Sequence, residues 1–215
     1  MTDDAVARAA IVACGRELER RGLNVGAAGN VGVRVDGGLL VTPTGMALGD
    51  LDPADLVQLT PDGTCPPGQR RPTSEWRIHV DVLAARPDVS AVVHTHSPEA
   101  TAAACLRAPL PAVHYVVARV GGPTVPCASY ATYGTVELSA AVLKALGDGH
   151  ACLMANHGML AVGTDLTTAV ALAIEVEWLA GVVRRARAHG LPVHVLPDAE
   201  IECVRDRLKT YGQPP

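Results

Sequence analysis

The chain has 215 residues, of which 48% are hydrophobic, and a formal net charge of −4. That length suits one domain, residues 1–215, with a sizeable core, and a mildly acidic balance without a long basic run argues against a nucleic-acid surface. The six cysteines form no Cys-x-x-Cys pair, which argues against a zinc knuckle or a dithiol redox centre. Most of them read as small buried hydrophobes of a reduced cytoplasmic protein, and Met1-Thr2-Asp3-Asp4 opens no secretory leader.

Residues 4–21 predict an amphipathic helix with Val6, Ile11, Val12 and Leu18 on its apolar side. The glycine-rich loop Gly26-Ala27-Ala28-Gly29-Asn30 follows. Strands Val31–Val35 and Leu39–Thr42 flank Asp36-Gly37-Gly38, a hairpin signal. A third strand is expected at Leu56–Leu59, and residues 61–72, with four prolines and two glycines, are loop. Thr73 or Ser74 caps a helix from Glu75 to Ala85. Ala91–Thr95 is a buried strand that hands over to a helix begun by Ser97-Pro98-Glu99. A strand is predicted near Val113–Val117 and a helix at 135–146. The apolar runs Cys152–Ala155 and Met159–Val162 flank the turn Asn156-His157-Gly158. Residues 166–188 form the longest helix. Its apolar stretch is interrupted by Glu175 and Glu177, so it is not expected to span a membrane. A polar helix at 198–211 closes the chain. Hairpin-like strand pairs mixed with helices argue for a mostly antiparallel or mixed sheet covered by helices.

Side chains alternate faces along a strand, so His94 and His96 project from one side. With His157 they provide three neutral nitrogen donors with an open position, the ligand set of a catalytic zinc site. A histidine pair packed in the core is the plainer alternative. Glu75, in the first turn of its helix, reads as a dipole-friendly carboxylate or as a metal ligand that doubles as a base. Three segments are suited to an anion: Gly29-Asn30, Thr42-Pro43-Thr44-Gly45 with hydroxyls and a free N–H, and Thr73-Ser74 at a helix N-terminus. Each also reads as ordinary turn chemistry. His79, one helical turn after Glu75, supports it or simply packs. Tyr115, Tyr133 and Tyr211 read first as ordinary packed tyrosines, and His150, His189 and His194 as surface residues.

In their order, Gly29-Asn30, Thr42-Pro43-Thr44-Gly45-Met46, Ser74-Glu75-Trp76, His94-Thr95-His96, His114-Tyr115 and Asn156-His157-Gly158 resemble the class II aldolase/adducin family, and within it the aldolases of L-fuculose 1-phosphate. The likeness runs from about residue 8 to Gly212 and includes Tyr130-Ala131-Thr132-Tyr133-Gly134 and Lys209-Thr210-Tyr211-Gly212. The resemblance implies an α/β fold, a three-layer αβα sandwich around a mostly antiparallel mixed sheet, assembled as a cyclic homotetramer. It implies one Zn2+ per subunit on His94, His96, His157 and Glu75. It implies a phosphorylated ketose bound through Gly29, Asn30, Thr44, Gly45, Thr73 and Ser74, and cleaved to dihydroxyacetone phosphate and an aldehyde. Glu75 and Tyr115 would be the catalytic acid–base residues, Tyr115 reaching in from a neighbouring subunit, with Tyr133 and Tyr211 near the substrate. The only lysines, Lys144 and Lys209, lie in no pocket-like apolar run, in keeping with a metal aldolase rather than a Schiff-base one. The chain departs from the pattern at Ala27 and Gly32, where hydroxyls occur and would strengthen the phosphate grip, and at Leu208, where an aromatic occurs. The rival activities on this scaffold are a pentulose-phosphate 4-epimerase and a methylthioribulose-phosphate dehydratase. A metal-free adducin-like binding module is less in keeping with the intact ligand set, and a purely structural zinc with the phosphate-type turns. No nucleic-acid or membrane partner is expected.

Overall fold

The computed structural model describes residues 4–212, so the leader expectation at Met1-Thr2-Asp3 lies outside the described residues. Its helices are α1 (Asp4–Arg20), α2 (Trp76–Ala85), α3 (Pro98–Ala104), α4 (Val136–Leu146), α5 (Leu166–Ala188) and α6 (Asp198–Leu208). Its strands are β1 (Asn30–Val35), β2 (Gly38–Val41), β3 (Val57–Leu59), β4 (Ala91–Thr95), β5 (Cys127–Ala128), β6 (Ala151–Met154) and β7 (Gly158–Gly163). Among the described residues they form one sheet in the order β3-β2-β1-β4-β7-β6-β5, antiparallel throughout except for the parallel β5–β6 pair.

The sheet is the middle of three layers. On one face Ile11 and Leu18 of α1 and Leu172, Val176 and Leu179 of α5 pack with Val31, Val93 and Leu153. On the other, Val82 and Leu83 of α2 and Leu138 and Val142 of α4 pack with Val41, Val92 and Leu160. Every residue of β4, β6 and β7 is buried, as a strand covered on both faces requires, which is why these segments read as unbroken apolar runs. By length and composition alone α5 could cross a membrane. Here it is a core helix with one face on the sheet.

Some expectations fail locally. Val6 is exposed on α1. Of the six free cysteines only Cys14 and Cys152 are buried. The strand expected at 113–117 is a 3-10 helix, Tyr115–Val120, which buries Val117, Ala118 and Val120 and ends at Gly121 with φ 92°. The His114 side chain accepts the Val116 N–H at 3.2 Å and turns the chain out of an extended path. Glu75 itself occupies the cap position of α2, and the Thr73 hydroxyl accepts the Glu75 N–H at 3.3 Å.

Candidate active site

Strand register assembles the centre. In the β1–β4 pair Asn30 lies opposite His94, so their side chains rise from the same sheet face, the one covered by α2. The chain enters α2 through Glu75, and His79 follows one helical turn later, so both meet Asn30. In the β4–β7 pair Thr95 lies opposite Met159, which brings the β6–β7 turn carrying His157 beside His94 and His96. Asn156 takes φ 52° in that turn, and the His157 N–H bonds the Met154 carbonyl at 3.0 Å. Gly158 is indispensable to the approach: a Cβ there would collide with the Thr95 carbonyl and lie 3.3 Å from the rings of His94 and His96.

The three imidazole centroids lie 4.8–4.9 Å apart, nearly edge-on to one another. Their nitrogens and a Glu75 oxygen all lie within 4.8 Å of one another. The Met159 carbonyl can only accept, so at 2.8 Å it fixes His94 Nδ1 as a donor and leaves the Nε2 lone pair facing the cluster. His94 Nε2 stands 2.9 Å from His96 Nε2 and 3.2 Å from Glu75 Oε2, and His157 Nε2 stands 3.4 Å from Glu75 Oε1. Glu75 is buried, and its Oε1 has no hydrogen-bond partner. Such an orphaned carboxylate oxygen amid converging nitrogen lone pairs fits a divalent metal held by three histidines and one carboxylate. Burial drives His96 and His157 down to about 4, keeping them in the neutral, ligating form. For His94 burial pulls the same way, but the Glu75 carboxylate outweighs it and raises the group. Burial opposes ionisation of Glu75, yet its electrostatic attraction to and hydrogen bonding with His94, then the nearby His157 and the Asn30 amide, hold its carboxyl well below the usual carboxylate range.

A cavity of about 290 Å³ opens beside Glu75, His96 and His157. Gly29, Asn30, Thr44, Gly45, Thr73 and Ser74, drawn from three separate segments, also line it, as does Tyr133. No lysine or arginine among the described residues lines it. In the Thr42–Gly45 turn the Thr44 N–H bonds the Arg71 carbonyl at 3.1 Å and the Thr42 hydroxyl accepts the Val31 N–H, so the free N–H expected there is that of Gly45. Asn30 differs from a simple anion donor: its amide donates to Glu75 Oε2 at 2.9 Å and its oxygen meets His79 Nε2 at 2.6 Å.

Tyr115 is 52% exposed, stacked on His114, and Tyr211 is 82% exposed; neither lines the cavity of its own chain. Ala27 does line it. Gly32 does not; it faces the His79 ring, where a Cβ would collide with Nδ1. A hydroxyl at position 32 would therefore not reach the cavity, contrary to the reading of Gly32 as a weakened anion contact. Sequence reasoning passed over Asn24, Tyr130 and Asn156. The buried Asn24 accepts the His96 N–H at 3.0 Å and packs where a Cβ on Gly29 would stand. Tyr130 and Asn156 line the cavity. The signals available were the adjacency of Asn156 to His157 and the place of Tyr130 in the run Tyr130-Ala131-Thr132-Tyr133-Gly134.

Residues 9–183 match the family described as class II aldolase and adducin N-terminal domain. The chain is 47% identical over 205 residues to a 5-methylthioribulose-1-phosphate/5-deoxyribulose-1-phosphate aldolase of Rhodospirillum rubrum, covering 95% of this chain and 92% of that one. It is 43% identical over 212 residues to the L-fuculose phosphate aldolase of Escherichia coli K12, covering 99% and 98%. A solved L-fuculose 1-phosphate aldolase superposes with a TM-score of 0.91 at 36% identity, covering 97% of this chain and 98% of that one. With the fold, the family match and these full-length relatives in agreement, the chain belongs to the class II aldolase and adducin family, as an enzyme of its aldolase, or lyase, branch.

Proposed function

We propose that this protein is a zinc-dependent aldolase that reversibly cleaves a ketose 1-phosphate between C3 and C4 to dihydroxyacetone phosphate and a short aldehyde. L-Fuculose 1-phosphate, giving L-lactaldehyde, is one substrate; 5-deoxyribulose or 5-methylthioribulose 1-phosphate is the second reading, supported by the 47% identical relative named for those sugars. The observation that carries the proposal is the buried, half-partnered Glu75 among three histidines, lining a cavity shared with uncharged loop residues that include Gly29, Thr44, Gly45 and Ser74.

A metal on His94, His96, His157 and Glu75 would act as a Lewis acid toward the negative charge that carbon–carbon cleavage leaves on the ketose fragment. Glu75 delivers a proton to C3 in cleavage and removes it in synthesis. Tyr115, contributed by an adjacent subunit of a homotetramer, accepts the C4 hydroxyl proton in cleavage and returns it in synthesis. Backbone N–H groups of Gly29 and Gly45, the hydroxyls of Thr44, Thr73 and Ser74 and the second amide hydrogen of Asn30 hold the phosphate near the N-terminus of α2. Binding there places C3 and C4 at the acid–base groups. Tyr133 and Tyr211 border the aldehyde end. The enzyme works as a single cytoplasmic domain without nucleic-acid or membrane partners.

The test loads metal-stripped protein separately with zinc, manganese and cobalt and offers L-fuculose, L-rhamnulose, ribulose and 5-deoxyribulose 1-phosphates. Release of dihydroxyacetone phosphate, greatest with zinc, is the expected result. An epimer without triose phosphate, or no product from any sugar, overturns the aldolase reading. Glu75→Gln is expected to keep its metal and lose ~10²–10⁴-fold in turnover, whereas His94→Ala loses metal and activity together.

A further inference from the structure

His79 is fully buried, and no step above uses it. An apolar residue would fill its place in α2 without leaving a ring nitrogen stranded, yet Nδ1 has no hydrogen-bond partner. The other nitrogen, Nε2, lies 2.6 Å from Asn30 Oδ1, and Asn30 Nδ2 donates to Glu75 Oε2 at 2.9 Å. The directions of these bonds are forced. Glu75 Oε2 is an acceptor, so the Asn30 amino group must face it; the Asn30 oxygen then faces His79, and Nε2 must carry the proton. Turned the other way, Asn30 would set its oxygen against the carboxylate. Its orientation thus depends on a fixed donor behind it. Gly32 completes the arrangement, because only a residue without Cβ lets the ring stand over β1.

We propose that His79 is a positioning residue for the proton transfer at Glu75. Through Asn30 it holds Glu75 Oε2, and so fixes the orientation of the carboxylate from which the proton moves to and from C3. This rests on the reading of Glu75 as the acid–base group.

The experiment compares wild type, His79→Leu, His79→Gln, Gly32→Ala and Glu75→Gln, each loaded with zinc. Three quantities are read: zinc per subunit, kcat and KM for the cleaved ketose 1-phosphate, and exchange of the C3 hydrogen of dihydroxyacetone phosphate with D2O, followed by NMR without aldehyde. His79→Leu is expected to hold zinc as the wild type does, while kcat and C3 exchange fall together by ~10–100-fold and KM changes little. His79→Gln, which keeps a donor of similar reach, recovers most of that loss. Gly32→Ala, which displaces the ring with only one added methyl, gives the same split and decides the matter if His79→Leu does not fold. Wild-type exchange and kcat in a folded His79→Leu, or in Gly32→Ala when His79→Leu does not fold, overturn the proposal, as does loss of zinc in step with activity. If Glu75→Gln exchanges at the wild-type rate, the acid–base assignment itself falls. If Glu75→Gln is silent and His79→Leu is normal, only the role of His79 falls.

Discussion

Ala27 sets a methyl group on the wall of the cavity, at a position where the family resemblance leads one to expect a hydroxyl. In a cradle without a cation each hydroxyl counts, and a hydrogen bond to a charged group contributes roughly 1.5–3 kcal/mol. Ala27→Ser is therefore expected to lower the KM for the sugar phosphate by up to ~10–100-fold at nearly constant kcat, as steady-state kinetics would show; an unchanged KM would separate residue 27 from the phosphate. The metal cluster was readable from the sequence because period-two geometry puts His94 and His96 on one face and His157 follows a like apolar run. What Gly32 and Asn24 do was not readable. Both act through neighbours distant in the chain, His79 and His96 respectively, and a glycine in a strand or an asparagine in a loop has many ordinary uses.

The helices show how polar breaks in apolar segments can be structural devices. Ser97 stands at the cap position of α3 but makes no side-chain cap bond. Glu177 of α5 accepts the N–H groups of Glu99 and Ala100 at 2.9 and 2.8 Å. Glu175 pairs with Arg119 at 3.0 Å, and Arg184 grips Glu99 through two bonds of 2.5 and 2.7 Å. The acidic residues that interrupt the run at 166–183 thus tie α5 to its neighbours. Glu177→Ala is expected to destabilise the fold by about 0.5–2 kcal/mol, the usual loss for a removed cap, measured as a lowered urea midpoint without a change in slope. Element type was legible where the apolar period was long, as in α1, α4 and α5. It failed at 113–117, where a valine-rich run suggested a strand but a local side-chain bond and prolines upstream favour a tight helix. The two-residue β5 is too short to show any period.

At the scale of the whole molecule, Tyr115 and Trp178 are exposed on either side of His114, whose ring stacks on the first and meets the second edge-on. In a chain with no phenylalanine and six aromatic residues, this is a conspicuous share of the ring surface. The proposed site, which would draw Glu75 from one subunit and Tyr115 from the next, has a complementation test. Tyr115→Phe and Glu75→Gln homo-oligomers are each expected to be nearly inactive. Unfolded and refolded together, they should form mixed assemblies in which some sites have both residues and regain activity. Mixtures that stay as inactive as their parents would place both groups in one subunit.

The pairing of β4 with β7 has one more consequence. His94 and His96 close one strand, and His157 precedes the other, so an ion held by all three fastens the ends of a long intervening stretch of chain, much as a covalent crosslink does. Metal bound only by the folded form at 100 times its dissociation constant adds about 2.7 kcal/mol of stability. A chelator should therefore lower the melting temperature, and added zinc should restore it in a concentration-dependent way. His94→Ala should be insensitive to both treatments. Metal scarcity in a cell would then reduce how long each molecule survives as well as how fast it turns over.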